Sequence, residues 1–469
     1  MNPLSMNSTF PFTAAECVDA FTSGACSAVE IAAATLARIE KANPALNAFI
    51  EITAPRMRRE AESVDHARQL KQPLGPLAAV PFAVKNLFDV EGITTLAGAK
   101  LYEPYPPARR DADLIQKLNR AGGLLAGTLN MDAYAYGFTT ENTHYGATHN
   151  PRDATRSAGG SSGGTGAAVA AGLVPIGLAS DTNGSIRVPS SLCGVFGLKP
   201  TYGRLSRTGS QMFVSSLDHL GPLATTTEDL ALAYDALQGS DPLDPACALR
   251  PTEPTRSMLN QGINGLRIAR LTGYFDEHAG PEALWASQIA AQTLGAFSEV
   301  ELPGVAAARS AAYLITASES GALYQDRLRT HIDQFEPLSR DRLIAGSLIP
   351  AAWYQQALRY RRWYLAQVMR LFRDVDVLIA PATPITAPLL GQPSFKLGNR
   401  EFATRPNMGL LTQPISFIGL PVAVAPLWPE GNLPIGVQII APPWREDLCL
   451  RVARVLEQAG LASSRTPRG

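Results

Sequence analysis

The sequence predicts an α/β fold, a β-sheet with helices over both of its faces. From residue 75 to about 237, short apolar runs alternate with Gly-rich turns and helical segments. Several of these runs are apolar throughout, as strands covered on both faces must be. The same strand–helix rhythm restarts at 265–271 and continues to a final helix at about 446–459.

Taken in order, residues 13–70 read as helices. Ser27-Ala28-Val29-Glu30 has the S-x-x-E form of a capping box, Ile31, Leu36 and Ile39 follow as apolar positions, and Asn43-Pro44 is expected to end the helix. A second helix is expected over about 54–71. Strands are expected at 78–84, 123–128, 174–179 and 195–198, with a helix at about 165–172. Residues 238–262 are polar and Pro-rich, the composition of a surface connection. A long helical block covers about 305–374 and a strand 375–380. The Pro-rich stretch 381–405 reads as a long loop of the kind that lies over active sites. Strands at 421–426 and 435–440 complete the pattern.

Composition narrows the function. The 469 residues are 46% hydrophobic and 17% charged, ample for a large core. Lys plus Arg (41) balances Asp plus Glu (41), so no basic field exists to hold nucleic acid, and a small neutral or weakly charged substrate fits better. Cys17, Cys26, Cys193, Cys247 and Cys449 are far apart and form no CxxC pair, which points away from zinc or a disulfide framework. The first twelve residues, MNPLSMNSTFPF, lack a signal-peptide pattern, and the run 167–179 is too short to span a bilayer. The expectation is a cytoplasmic protein with no membrane partner.

Three segments carry the chemistry. The first is Ser157-Ala-Gly-Gly-Ser161-Ser162-Gly-Gly-Thr-Gly166, a Gly-rich turn running into a helix. As a phosphate loop it lacks the Lys after its last Gly. As a nucleophile elbow, Gly159-Gly160-Ser161-Ser162-Gly163 fits G-x-S-x-G and would need one of His219, His278 or His331. A plain structural turn is the default for this segment alone. The second segment, Ser180-Asp-Thr-Asn-Gly-Ser-Ile-Arg187, follows an expected strand. A Ser at such a turn presents its hydroxyl beside unpaired backbone N–H groups, the donors an oxyanion requires. The third is Lys85, which ends the apolar run 76–84. Burial disfavours a charged amine and makes it a usable base near neutral pH, and a serine hydroxyl needs such a base to attack.

With these residues in hand, the chain resembles the amidase signature family. The matching segments are residues 75–85 ending in Lys85, Gly159-Gly-Ser-Ser-Gly-Gly164, Ser180 to Arg187, Cys193-Gly-Val-Phe-Gly-Leu-Lys-Pro-Thr-Tyr-Gly203, Ser216-Leu-Asp-His-Leu-Gly-Pro222, Asp376-Val-Leu-Ile-Ala-Pro381 and Leu433-Pro-Ile-Gly-Val-Gln438. The resemblance runs from about residue 15 to 455. It implies a single α/β/α domain on a large mixed sheet: an N-terminal helical segment, 1–70, packed on a domain of 71–469 whose catalytic core spans about 75–237.

The resemblance also implies roles. Ser185 would be the nucleophile, and Ser161, at a cis peptide bond, would pass protons between Ser185 and Lys85. Backbone N–H groups of Thr182, Asn183, Gly184 and Ser185 would form the oxyanion hole, with Asp181 and Arg187 supporting the turn. No metal or organic cofactor is implied. Many family members have Gly where Asn183 stands and Asp where Asn86 stands. The Asn-Gly-Ser variant, with Val188-Pro-Ser-Ser-Leu-Cys193, is similar to a narrow branch acting on small carboxylated urea derivatives of s-triazine breakdown, with ammonia release. For such an anion, Arg361 is the candidate cation, unless it is only an exposed helix charge. That branch implies a homodimer and a small helical accessory subunit. The alternatives are a glutaminase subunit of a tRNA-dependent amidotransferase, or a non-catalytic scaffold subunit. The presence of Lys85, Ser161 and Ser185 argues against the last.

Overall fold

The computed structural model describes residues 13–465, so the first twelve residues, with their expected lack of a signal peptide, lie outside the described residues. At its centre is an 11-stranded sheet. In chain order its strands are β1 (Phe49–Ile52), β2 (Pro81–Lys85), β3 (Leu124–Leu129), β4 (Ile176–Asp181), β5 (Phe196–Lys199), β6 (His219–Ala224), β7 (Ile268–Leu271), β8 (Ser298–Val300), β9 (Val377–Pro381), β10 (Val422–Leu427) and β11 (Ile435–Ile440). Their spatial order is β1-β3-β2-β4-β6-β5-β10-β11-β9-β7-β8.

The sheet is mixed. β2 runs parallel to β3 and β4, and β7 runs parallel to β8 and β9; the other neighbours are antiparallel. Every residue of β2 to β7 and of β9 to β11 is buried, and only the edge strands β1 and β8 meet solvent. Successive side chains of a strand point to opposite faces, so this burial requires cover on both sides. Each fully buried Val, Leu, Ile or Phe contributes about 1.5–3 kcal/mol. The domain is a single α/β unit, as expected.

Departures from the expected boundaries have local causes. The run 78–84 becomes strand only at Pro81, because residues 75–80 form tight turns with Ala79 at φ 64°. Apolarity alone does not separate a buried turn from a strand. The helix Ala28–Leu46 begins as its capping box predicts: Glu30 N–H donates to Ser27 Oγ at 3.1 Å and Ser27 N–H to Glu30 at 2.8 Å. It continues past Pro44, however, and ends at left-handed Asn47. Proline so near the end removes little of the hydrogen-bond ladder. Asn43 then collects the N–H groups of Ala48 and Phe49 and turns the chain into β1, a strand the helical reading of 13–70 did not include.

The helical block 305–374 is three helices, Val305–Thr330, Pro337–Ser347 and Ala351–Leu371. The second starts on Pro337 and the third follows Pro350, where proline suits a first turn. The expected loop 381–405 contains a hairpin, Ser394–Leu397 against Arg400–Ala403.

Candidate active site

Lys85 is the last residue of β2. Val84 pairs with Leu178 of the parallel strand β4, so Lys85 and the end of β4 emerge at the same sheet edge. Ligand sites in such sheets lie beyond the carboxyl ends of the parallel strands. The fully buried Lys85 Nζ donates to Ser161 Oγ at 2.7 Å and to Ser180 Oγ at 2.8 Å. Burial lowers its pKa to about 7, against an opposing pull from Asp132, Asp218 and Asp181. An amine this dry is substantially neutral at neutral pH, as its position at the end of an apolar run predicts.

Ser161 reaches Lys85 from the turn before the Gly163–Ala170 helix, and the Gly160–Ser161 bond is cis. A Cβ on Gly160 would fall 2.2 Å from the Asp132 carboxylate, so the turn admits only glycine. Asp132 N–H donates to the Ser161 carbonyl at 3.1 Å, and Ser162 Oγ donates to the Ser180 carbonyl at 3.2 Å, tying the turn to β4. The start of the following helix is already satisfied: Gly163 N–H donates to Thr140 Oγ1 and Gly164 N–H to the Asn130 carbonyl. These donors are committed within the protein, which removes the phosphate-loop reading.

Ser185 follows β4 in a tight turn. Gly184 has φ 146°, and a Cβ there would lie 2.2 Å from Thr412 Oγ1. Thr412 Oγ1 donates to the Asn183 carbonyl at 2.7 Å, and Thr182 Oγ1 to Asp218 at 2.6 Å. Beneath the turn, buried Arg187 donates to both Asp181 carboxylate oxygens, at 2.9 and 3.0 Å. Arg187 also donates to the Thr412 carbonyl and to Gln438, and Asp181 accepts Ile186 N–H. Burial alone would raise the Asp181 pKa, but the Arg187 guanidinium outweighs it and holds the carboxyl well below the usual range. Asp181 and Arg187 thus form a buried, fully paired ionic knot beneath the turn.

Among the described residues, the backbone N–H groups of Thr182, Asn183, Gly184 and Ser185 donate to no protein acceptor. Thr182, Asn183 and Ser185 line a cavity of about 30 Å³ together with Gly137, Phe138, Tyr313, Thr316, Arg342 and Gln413. Ser185 is 3% exposed and makes no side-chain hydrogen bond among the described residues. The connection seen is therefore Lys85 to Ser161; no hydrogen bond joins Ser161 to Ser185.

One expectation is not met by the geometry, and one alternative falls away. Arg361 does not line the cavity: it donates to the Ser216 carbonyl at 3.0 Å and sits over the Tyr202 ring at 5.9 Å. The cation at the cavity is Arg342, on the Pro337–Ser347 helix, its guanidinium 3.7 Å over the Tyr136 ring and donating to the Tyr136 carbonyl at 2.5 Å. Nothing local in the sequence distinguishes Arg342 from its charged neighbours Arg340 and Asp341; only the packing of the helices does. The elbow reading also loses its base. His219 is turned onto the carbonyls of Asp181 and Leu217, His278 stacks on Tyr274, and His331 contacts Thr330. Ser180, the second partner of Lys85, was missed although it stands at the head of the Ser180–Arg187 motif.

The sequence matches a known family. The Amidase family profile matches residues 30–450. The chain belongs to the amidase family. It is an enzyme that hydrolyses amide C–N bonds. This amidase is 56% identical to AtzE, the 1-carboxybiuret hydrolase subunit of Pseudomonas sp. (strain ADP), over 95% of this chain and 98% of that one. It is 36% identical to a glutamyl-tRNA(Gln) amidotransferase subunit of Chloroflexus aurantiacus (strain ATCC 29366 / DSM 635 / J-10-fl), over 96% of each. A solved s-triazine catabolic enzyme from a vestigial protein complex superimposes with a TM-score of 0.96 at 55% identity, covering 97% of this amidase and 100% of that chain. The 6-aminohexanoate cyclic dimer hydrolase superimposes with a TM-score of 0.86 at 29% identity, covering 98% and 99%. Among the described residues no helix is long and apolar enough to cross a membrane.

Proposed function

We propose that this amidase hydrolyses a small carboxylated urea derivative of the 1-carboxybiuret type and releases ammonia. The observation that carries the chemistry is the buried Lys85 amine bonded to Ser161 and to Ser180, on the strand that leads into the turn of Ser185 at the cavity. A neutral amine keeps one lone pair and two N–H donors. One N–H goes to Ser180 while the lone pair accepts the Ser161 proton.

Ser161 takes the Ser185 proton as Ser185 Oγ attacks the substrate carbonyl. The carbonyl oxygen gains charge facing the free N–H groups of residues 182–185, where fixed donors are worth most. The relay returns a proton to the leaving nitrogen, ammonia departs, and water resolves the acyl-enzyme by the same route. The Ser161-to-Ser185 contact has to close when substrate seats Ser185; catalytic hydrogen bonds often tighten only in the complex.

Two observations support the substrate class. One is the 56% identity to a 1-carboxybiuret hydrolase. The other is Arg342, a cation at the cavity with carbonyls rather than a carboxylate as its hydrogen-bond partners. The relative's designation as a subunit, and a solved neighbour from a protein complex, support assembly with a partner protein, which we take to be a small helical accessory subunit beside a second copy of this chain. The test is ammonia release from 1-carboxybiuret, biuret, glutamine and an aryl amide. Turnover of 1-carboxybiuret far above glutamine is expected. Preference for glutamine, with activity dependent on tRNA-amidotransferase partners, would overturn the substrate.

A further inference from the structure

Asn183 carries a buried acceptor that the protein leaves unpaired. The residue is 6% exposed and lines the cavity beside Ser185. Its Nδ2 donates to Thr316 Oγ1 at 2.9 Å, fixing the amide, while Oδ1 is buried with no hydrogen-bond partner. Thr316, itself 2% exposed, also lines the cavity and is carried by the Val305–Thr330 helix, remote in sequence from the oxyanion turn. Most buried amide oxygens are paired, and this unpaired one lies at a cavity wall, placed to accept from a bound ligand.

We propose that Asn183 Oδ1 accepts the N–H that flanks the scissile carbonyl on its acyl side, making this amidase selective for ureido-type substrates over ordinary carboxamides. The inference rests on the substrate class proposed above and assigns the residue that reads it. Substrates with carbon at that position leave Oδ1 unpaired and desolvated, and a site built to pair an N–H discriminates strongly against an analogue lacking it. Thr316 acts through Asn183 as a positioning residue, because its hydroxyl holds the amide with the oxygen free. The backbone of residue 183 keeps its place in the turn through Thr412, independently of this side chain.

The experiment compares biuret with malonamide, which differ by one N–H replaced by CH2, in the full-length enzyme and in Asn183→Ala and Thr316→Val. The readout is the ratio of kcat/KM for the two compounds, which cancels intrinsic reactivity within each enzyme. Asn183→Ala is expected to lower the biuret-to-malonamide ratio by about tenfold or more, and Thr316→Val to lower it in the same direction by a smaller factor. Equal losses on both compounds in both variants, with the ratio unchanged, would overturn the acceptor role and leave the substrate class standing. Absence of biuret and 1-carboxybiuret turnover in the unmodified enzyme would overturn both. Thr316→Val keeps side-chain shape, so it remains informative if the alanine variant folds poorly.

Discussion

Lys85 Nζ lies 2.8 Å from Ser180 Oγ, so the strand that leads into the turn of Ser185 also anchors the amine proposed as the base. Ser180→Ala is expected to lower kcat/KM about tenfold, the scale of one lost hydrogen bond to a functional amine. Ser180 accepts from Lys85 and favours its charged form. Its removal should therefore move the acidic limb of the pH profile to lower pH. A profile that keeps its midpoint while activity falls would reduce Ser180 to packing.

The pH dependence of the intact enzyme follows from Lys85. With the amine held at about 7, kcat/KM should rise with pH through about 7 and then level off, because only the neutral form accepts a proton. Lys85→Met is expected to abolish that limb and reduce turnover at least a thousandfold.

The same group makes stability, too, rise with pH. The lysine is protonated in the unfolded chain below its ordinary value of 10.5 and stays neutral in the fold down to about 7. As pH falls through that window the unfolded state binds the extra proton, and burial of Lys85 destabilises the fold by ~1.4 kcal/mol per pH unit. Thermal melts of Lys85→Met against the parent should show the variant gaining relative stability from about pH 10 to about pH 7, and no further change below. A gap independent of pH would contradict a lowered pKa.

Arg187 and Asp181 are both fully buried, and the guanidinium also serves Thr412 and Gln438. Arg187→Met leaves the Asp181 charge without its cation and should cost about 3–5 kcal/mol, read by denaturant unfolding. Gln438 and the Thr412 carbonyl lose a donor in the same step, so catalytic loss should accompany the loss of stability.

Arg342 and Arg361 separate the corrected account from the sequence-based expectation. Arg342→Gln is expected to raise KM for a carboxylated substrate by about tenfold to a hundredfold with less effect on uncharged biuret. Arg361→Gln should leave that ratio near its parent value, because its guanidinium is engaged with Ser216 and Tyr202. The reverse pattern would restore Arg361 as the substrate cation.

Much of this was legible in the sequence because the proposed catalytic residues lie within short segments whose local chemistry declares them. Lys85 ends an apolar run, Gly184 precedes Ser185 in the turn, and Asp181 and Arg187 bracket it. The α/β class was legible for the same reason, since strands buried on both faces read as unbroken apolar runs. What escaped is what depends on packing between distant segments. β1 hides between two helices, where Asn43 rather than any strand pattern turns the chain. Arg342 reaches the cavity only because the helices of 305–371 fold back toward the oxyanion turn, while Arg361, one helix later, falls outside it. Thr316, the partner that orients Asn183, lies on a helix with no local mark of function.

The most direct measurement asks which hydroxyl becomes acylated. Treating the enzyme with a serine-directed sulfonyl fluoride and mapping the adduct by peptide mass spectrometry should place the label on Ser185. The label should be absent in Ser185→Ala and slowed in Ser161→Ala and Lys85→Met. A label on Ser161, or one that forms at the parent rate without Lys85, would contradict a relay in which Ser185 attacks and Lys85 receives the proton through Ser161.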